Sequence, residues 1–102
     1  MIHVIATIEV QPGRRQEFLV EFRRIVPLVR AEEGCIEYGP TVDAITGLSN
    51  QPPLRENVVV VVEKWASVPA LQSHMVAPHM QDYRARVKGL VVQVALQILE
   101  PA

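Results

Sequence analysis

Two of the chain's three histidines stand close together, His74 and His79, in the run H-M-V-A-P-H. The only tryptophan, Trp65, lies just upstream, and Tyr83 and Arg86 lie just downstream. Imidazole changes protonation near neutral pH more readily than any other side chain, so this pair is a candidate for general acid–base work. His79, Tyr83 and Arg86 follow the i, i+4, i+7 spacing of one helix face. If that face turns toward a sheet, it meets Val59, Val61, Glu63 and Trp65, which are alternate positions of one strand. An imidazole, a phenol, an indole and a carboxylate would then line a single pocket. A plainer reading competes with this one and, on spacing alone, outweighs it: a lone Trp usually serves a core, a Tyr can snorkel, and histidines on short helices are commonly exposed.

Other chemistries lack their residues. There is no G-x-G-x-x-G and no phosphate-binding P-loop; the glycines are Gly13, Gly34, Gly39, Gly47 and Gly89. His74 and His79 do not have the spacing of a zinc-binding helix, and Pro78 breaks any helix between them. The single Cys35 excludes an internal disulfide and a multi-cysteine metal site. Behind a helix stop, it reads as a small core residue rather than a nucleophile. There is no G-x-S-x-G, and Ser67 is better placed as a helix cap. His3 falls near the start of what reads as an outer strand, in a solvated or edge role.

The elements that must position these groups follow from periodicity. Ile2 to Val10 is β-branched and stops at Gln11-Pro12-Gly13, a strand and its turn. Phe18, Phe22, Ile25, Val26 and Val29 then recur at helical spacing. Pro27 predicts a kink, with a short second half closed at Gly34. Cys35 to Asp43 reads as a second strand, and Ala44 to Glu56 as a long polar loop. The five consecutive valines of Val58–Val62 open a third strand through Trp65 that has no polar face, so both its sides require cover. A helix capped by Ser67 runs through Met75, with Pro69 in its first turn. Pro78 starts another to about Val87, and Leu90 to Leu99 is the last strand. The order β-α-β-β-α-β, with the helical region on one side of an antiparallel sheet, is the ferredoxin-like arrangement of an α+β domain.

Composition narrows the classes further. A chain of 102 residues is one domain over 1–102, and size scaling gives it roughly 5,800 Å² of folded surface, with about two thirds of the extended chain's surface buried. With 49% hydrophobic residues it is not disordered and is apolar for a small monomer, so an oligomer is expected. A net charge of −1 argues against nucleic-acid binding. No apolar run is long enough to span a bilayer, and the first residues do not read as a secretion signal. A cytoplasmic protein with no membrane partner is the expectation.

The run N-V-V-V-V-V-E-K-W-A-S-V-P-A-L-Q-S-H-M-V-A-P-H-M-Q-D-Y (Asn57 to Tyr83) resembles the antibiotic biosynthesis monooxygenase family. So do E-E-G-C-I-E-Y (Glu32 to Tyr38) after I-V-P (Ile25 to Pro27), V-K-G (Val87 to Gly89) and the I-L-E-P tail. The likeness covers almost the whole chain and is nearest to the small bacterial quinol monooxygenase type. It implies a homodimer whose two sheets pack into an α+β barrel, and oxygenation without metal, haem, flavin or nicotinamide. Carried over by position, Trp65 and Glu63 match the strand-three site residues, His74 and His79 the histidine pair, and Tyr38 the tyrosine near the same cavity. Thr7 stands where the haem-degrading branch usually has Asn, which disfavours haem degradation. Ala77 replaces the Ser or Thr often found before Pro-His, leaving one helix uncapped at a cost of about 1 kcal/mol.

The reaction so implied is oxidation of a quinol or related polyphenolic aromatic by dioxygen. His74 or His79 is the base, Trp65 stacks on the ring, and Glu63, Tyr38, Tyr83 and Arg86 contact the substrate. Two alternatives share the fold. One is an isomerase acting on a small phosphorylated diketone, for which Arg86 is the only evident phosphate partner. The other is a non-catalytic, stress-type dimer that binds aromatics.

Overall fold

A computed structural model describes residues 1–102. The first β-branched run is strand β1 (Ile2–Val10), and the amphipathic stretch after Gly13 is helix α1 (Arg15–Arg30). Strands β2 (Cys35–Thr41) and β3 (Val58–Trp65) come next, then helices α2 (Val68–Met75) and α3 (Pro78–Val87), and last β4 (Val91–Leu99). The architecture is two-layer α+β. The sheet runs β2-β3-β1-β4 with every neighbouring pair antiparallel. β1 is therefore interior, and His3, expected on an outer strand, pairs with Lys64 on one side and Leu99 on the other.

Alternation along the strands sorts the two faces. Val4, Ala6, Ile8 and Val10 of β1, and Val59, Val61, Glu63 and Trp65 of β3, are buried beneath the helices. They pack against Phe18, Phe22, Ile25 and Val29 of α1, Leu71 of α2, and Met80, Tyr83 and Val87 of α3. The other side of the sheet carries Ile5, Val58, Val60 and Val62, which are only half-buried. The valine run thus has cover on one side only within the chain. The accessible surface of 6516 Å² exceeds the roughly 5,800 Å² expected at this size, in keeping with a flat body of 38 × 36 × 20 Å.

Three local expectations need correction. α1 is not split at Pro27 but runs unbroken to Arg30. The hydrogen bond lost at Pro27 frees the carbonyl of Arg23 on the exposed side of the helix, where water can meet it, while Ile25, Val26 and Val29 anchor the buried side. β2 ends at Thr41, two residues short of Asp43, because Asp43 turns away to accept from the backbone N–H and the guanidinium of Arg55. That pairing holds the Asp43 carboxyl down at about 2 and pins the base of the 44–54 excursion. β4 begins at Val91, since the N–H of Leu90 is spent on the carbonyl of Val87 at the end of α3. The caps are as read: Ser67 accepts from the N–H of Ala70, and Ala77 offers α3 no side-chain cap.

Gly34 carries more than a helix stop. Its φ of +82° is the left-handed region, and a Cβ there would lie 2.6 Å from the Cβ of Ala70. Its carbonyl accepts from the N–H of Ala66 at 2.8 Å. The turn after α1 is thereby pressed against the start of α2, which brings Glu32 within reach of the two histidines.

Candidate active site

Pleating sends Glu63 and Trp65 to the same side of β3, beneath the helices. Both are buried, and the indole N–H of Trp65 donates to Oε1 of Glu63 at 2.9 Å. Tyr38, opposite Glu63 in the β2–β3 ladder, shares this face. His74 comes down from the last turn of α2, 4% exposed, its ring 4.6 Å from the Trp65 ring and 5.4 Å edge-on from Tyr38. Tyr83 enters from α3 and meets Phe18 and Phe22 edge to face.

These groups border a cavity of about 450 Å³ between helices and sheet. Tyr38, Glu63, His74 and Tyr83 supply polar atoms, Arg84 and Lys88 supply cationic side chains, and Phe22, Val61, Met80 and other apolar side chains form the rest. Val94 and Leu96 of β4 edge it at a side that no helix covers. The Nε2 of His74, the Oε2 of Glu63 and the two phenolic oxygens have no hydrogen-bond partner within the chain, yet none is sealed from solvent. They therefore open into the cavity.

The structure separates the remaining expected site residues from this group. Trp65 is 0% exposed and does not border the cavity, so it backs His74 instead of stacking on a bound ring. Arg86 does not share the inward face with Tyr83. The buried stripe of α3 is Met80, Tyr83 and Val87, which turns Arg86 outward to Glu21 of α1 at 3.1 Å. Arg84 and Lys88 are the cations at the cavity rim. His79 lies on the flank of the same stripe and turns away from the cavity.

A residue not picked out as a site residue from sequence joins the two histidines. Oε2 of Glu32 is 3.0 Å from Nδ1 of His74 and 2.7 Å from Nε2 of His79. A carboxylate oxygen only accepts, so His74 donates through Nδ1 and keeps its lone pair on Nε2, facing the cavity. Glu32 is far from both histidines in sequence, and no spacing rule connects them. The cue was a glutamate in the turn between the end of a helix and Gly34.

Electrostatics follow burial. The Glu63 carboxyl is pushed up to about 7, chiefly by desolvation; the Trp65 N–H counteracts this and the charge of Glu32 adds to it. Burial also holds His74 below the usual imidazole value, outweighing the hydrogen bond it donates to Glu32. Desolvation raises both phenols, Tyr38 and Tyr83, so they are un-ionised donors at neutral pH. The site thus offers a neutral base beside a carboxyl poised to hold or give up a proton.

The model of the family described as "Antibiotic biosynthesis monooxygenase" matches residues 1–86. The chain belongs to the antibiotic biosynthesis monooxygenase family. That match takes in Tyr38, Glu63, His74 and Tyr83 and stops short of Val87, Lys88 and the β4 residues of the cavity. The protein is 42% identical to the "Probable quinol monooxygenase YgiN" of Escherichia coli K12, over 99% of this chain and 98% of that one. Among solved structures, Rv0793 from Mycobacterium tuberculosis superposes with a TM-score of 0.80 at 28% identity, covering 99% of this chain and 94% of that one. PA3566 from Pseudomonas aeruginosa gives 0.81 at 25% identity, covering 99% and 93%. As a member of this family the protein is a monooxygenase. No helix is long and apolar enough to cross a membrane.

Proposed function

We propose that the protein oxidises a quinol, or a related polyphenolic aromatic, with dioxygen in the cavity beside His74. The observation that carries this reading is the free Nε2 of a buried, neutral imidazole facing an apolar chamber large enough for an aromatic ring. Nε2 takes a proton from one ring hydroxyl, leaving an electron-rich anion that can pass single electrons to dioxygen without a cofactor. Glu63, Tyr38 and Tyr83 hold the second hydroxyl and the reduced oxygen. The apolar walls keep water from the intermediates. In balance, quinol and dioxygen give a hydroxylated quinone and water: one oxygen atom enters the ring, the other leaves as water, and no proton is gained or lost overall.

A homodimer belongs to this reading. The half-buried outer face of Ile5, Val60 and Val62 calls for a second copy packed sheet against sheet. Sedimentation at micromolar concentration should give twice the chain mass, and Val62→Glu should give the monomer. A reducing cytoplasm suits the lone, half-buried Cys35.

Oxygen uptake by chelator-treated protein over a panel of hydroquinones tests the activity. Uptake above autoxidation that His74→Ala and His74→Gln both lose supports it. Absence of uptake across the panel overturns it, and would leave an isomerase or a passive binder of aromatics on the same fold.

A further inference from the structure

The cavity is not the only recess that meets this cluster. On the outer side of α2 and the turn after α1 lies an open groove bordered by Glu32, Ser67, Ser73 and Ala77. No residue borders both the cavity and the groove. A side-chain hydrogen bond crosses the wall between them, where His74, which borders the cavity, meets Glu32, which borders the groove. Side-chain exposure climbs along the series, from 6% at His74 to 13% at Glu32 and 24% at His79. The Nδ1 of His79 has no partner in the chain and is not sealed.

We propose that Glu32 and His79 form a proton path that joins His74, at the wall of the cavity, to solvent on the far side of α2. It rests on the reading of His74 as the base. When an aromatic ring fills the cavity, His74 loses its direct access to water, and the groove side is its remaining outlet. A proton arriving on Nε2 from a ring hydroxyl releases the Nδ1 proton to Oε2 of Glu32. His79 holds one proton on Nδ1 and shares another with Oε2 across the 2.7 Å contact; as the His74 proton reaches Oε2, the shared one settles on Nε2 and the one on Nδ1 is shed to water. When the reduced oxygen is protonated to water, the Nε2 proton of His74 is delivered to it and the path runs in reverse, restoring Nδ1–H. One proton leaves and one returns, as the overall balance requires. Trp65 and Tyr38 flank the His74 ring, and Glu63, Arg84 and Glu32 are the charged groups around it; among these only Glu32 also contacts His79. The two histidines of H-x-x-x-P-H therefore have different duties: His74 touches the substrate, and His79 serves the exit.

His79→Ala and His79→Gln test this in dilute buffer. Both should lower kcat about tenfold with KM for the quinol unchanged, and added imidazole, small enough for the open groove, should restore the rate in the alanine variant. Turnover of both variants at the wild-type rate in dilute buffer, or loss that imidazole does not relieve, overturns the proposal. A second readout does not depend on turnover. With a non-oxidisable phenol monoether filling the cavity, nitrogen-resolved NMR should show the His74 ring N–H exchanging with water more slowly in His79→Ala and in Glu32→Gln than in the wild type. Unchanged exchange overturns the path even if oxygen uptake is absent throughout, in which case the activity reading has failed separately.

Discussion

Trp65 and Glu63, two residues apart on the buried face of β3, are joined by an indole N–H donated to Oε1 at 2.9 Å. A strand brings such neighbours to one side automatically, and the bond satisfies the indole in a place where no water reaches it. It leaves Oε2 as the free edge of the carboxyl, directed into the cavity. Burial has made this carboxyl hold its proton far more tightly than in an unfolded chain.

Glu63 should therefore weaken the fold as pH rises. Its folded value of about 7 lies above the usual 4.5, so the native state binds the extra proton between the two, and stability falls across that window. The loss is at most about 3 kcal/mol. Glu63→Gln removes it: in urea titrations at pH 4 and pH 8, the variant should gain on the wild type at pH 8. An equal difference at both pH values would contradict the raised carboxyl.

His74 predicts the opposite slope in catalysis. Because burial holds it below 6.5, kcat/KM for a quinol should climb with pH along an acid limb whose midpoint lies under 6.5. Initial rates across pH 4.5 to 8 measure this. In Glu32→Gln the hydrogen bond and charge that favour the imidazolium are weakened, so the limb should move to lower pH.

Gly34→Ala should be costly in both fold and activity. The new methyl meets Ala70 at 2.6 Å on a backbone with φ of +82°, so the turn must yield. A loss of about 2 kcal/mol in chemical unfolding is expected. Because the same turn carries Glu32, kcat should fall further than the loss of folded protein explains.

Ala77→Ser should stabilise. The backbone at 77 already has the extended geometry of a helix cap, and no side chain uses it. A hydroxyl there can accept from the first free N–H groups of α3, adding about 1 kcal/mol. Differential scanning calorimetry should show Tm raised by about 5 °C.

The strands and the buried face of β3 were legible because period two and period 3.6 are local signals, and Val59, Val61, Glu63 and Trp65 follow the first without exception. Ser67 and Pro78 announce their helix starts for the same reason. The departures all depend on tertiary neighbours. α1 tolerates Pro27 because the carbonyl it orphans faces water, which the sequence of the helix alone does not reveal. Arg86 has ideal spacing to join Tyr83, but the inward stripe of α3 is centred on Met80 and Val87, so Arg86 is left beside Glu21. Trp65 was legible as part of the cluster, though not as the layer behind the imidazole. Glu32 was invisible as a site residue because its partners come from helices folded back over the turn it occupies.

The placement of β1 between β3 and β4 bears on how the chain is made. β1 pairs with β4, His3 opposite Leu99, so this sheet cannot be completed until β4 has been synthesised. At roughly 5–20 residues per second, the five valines of β3 wait for seconds beside a β1 that is unpaired on its other edge. In that interval the nascent chain presents a β-branched segment of the kind that invites strand-to-strand aggregation. Slower translation after Trp65 should lengthen that exposure and lower the yield of soluble protein.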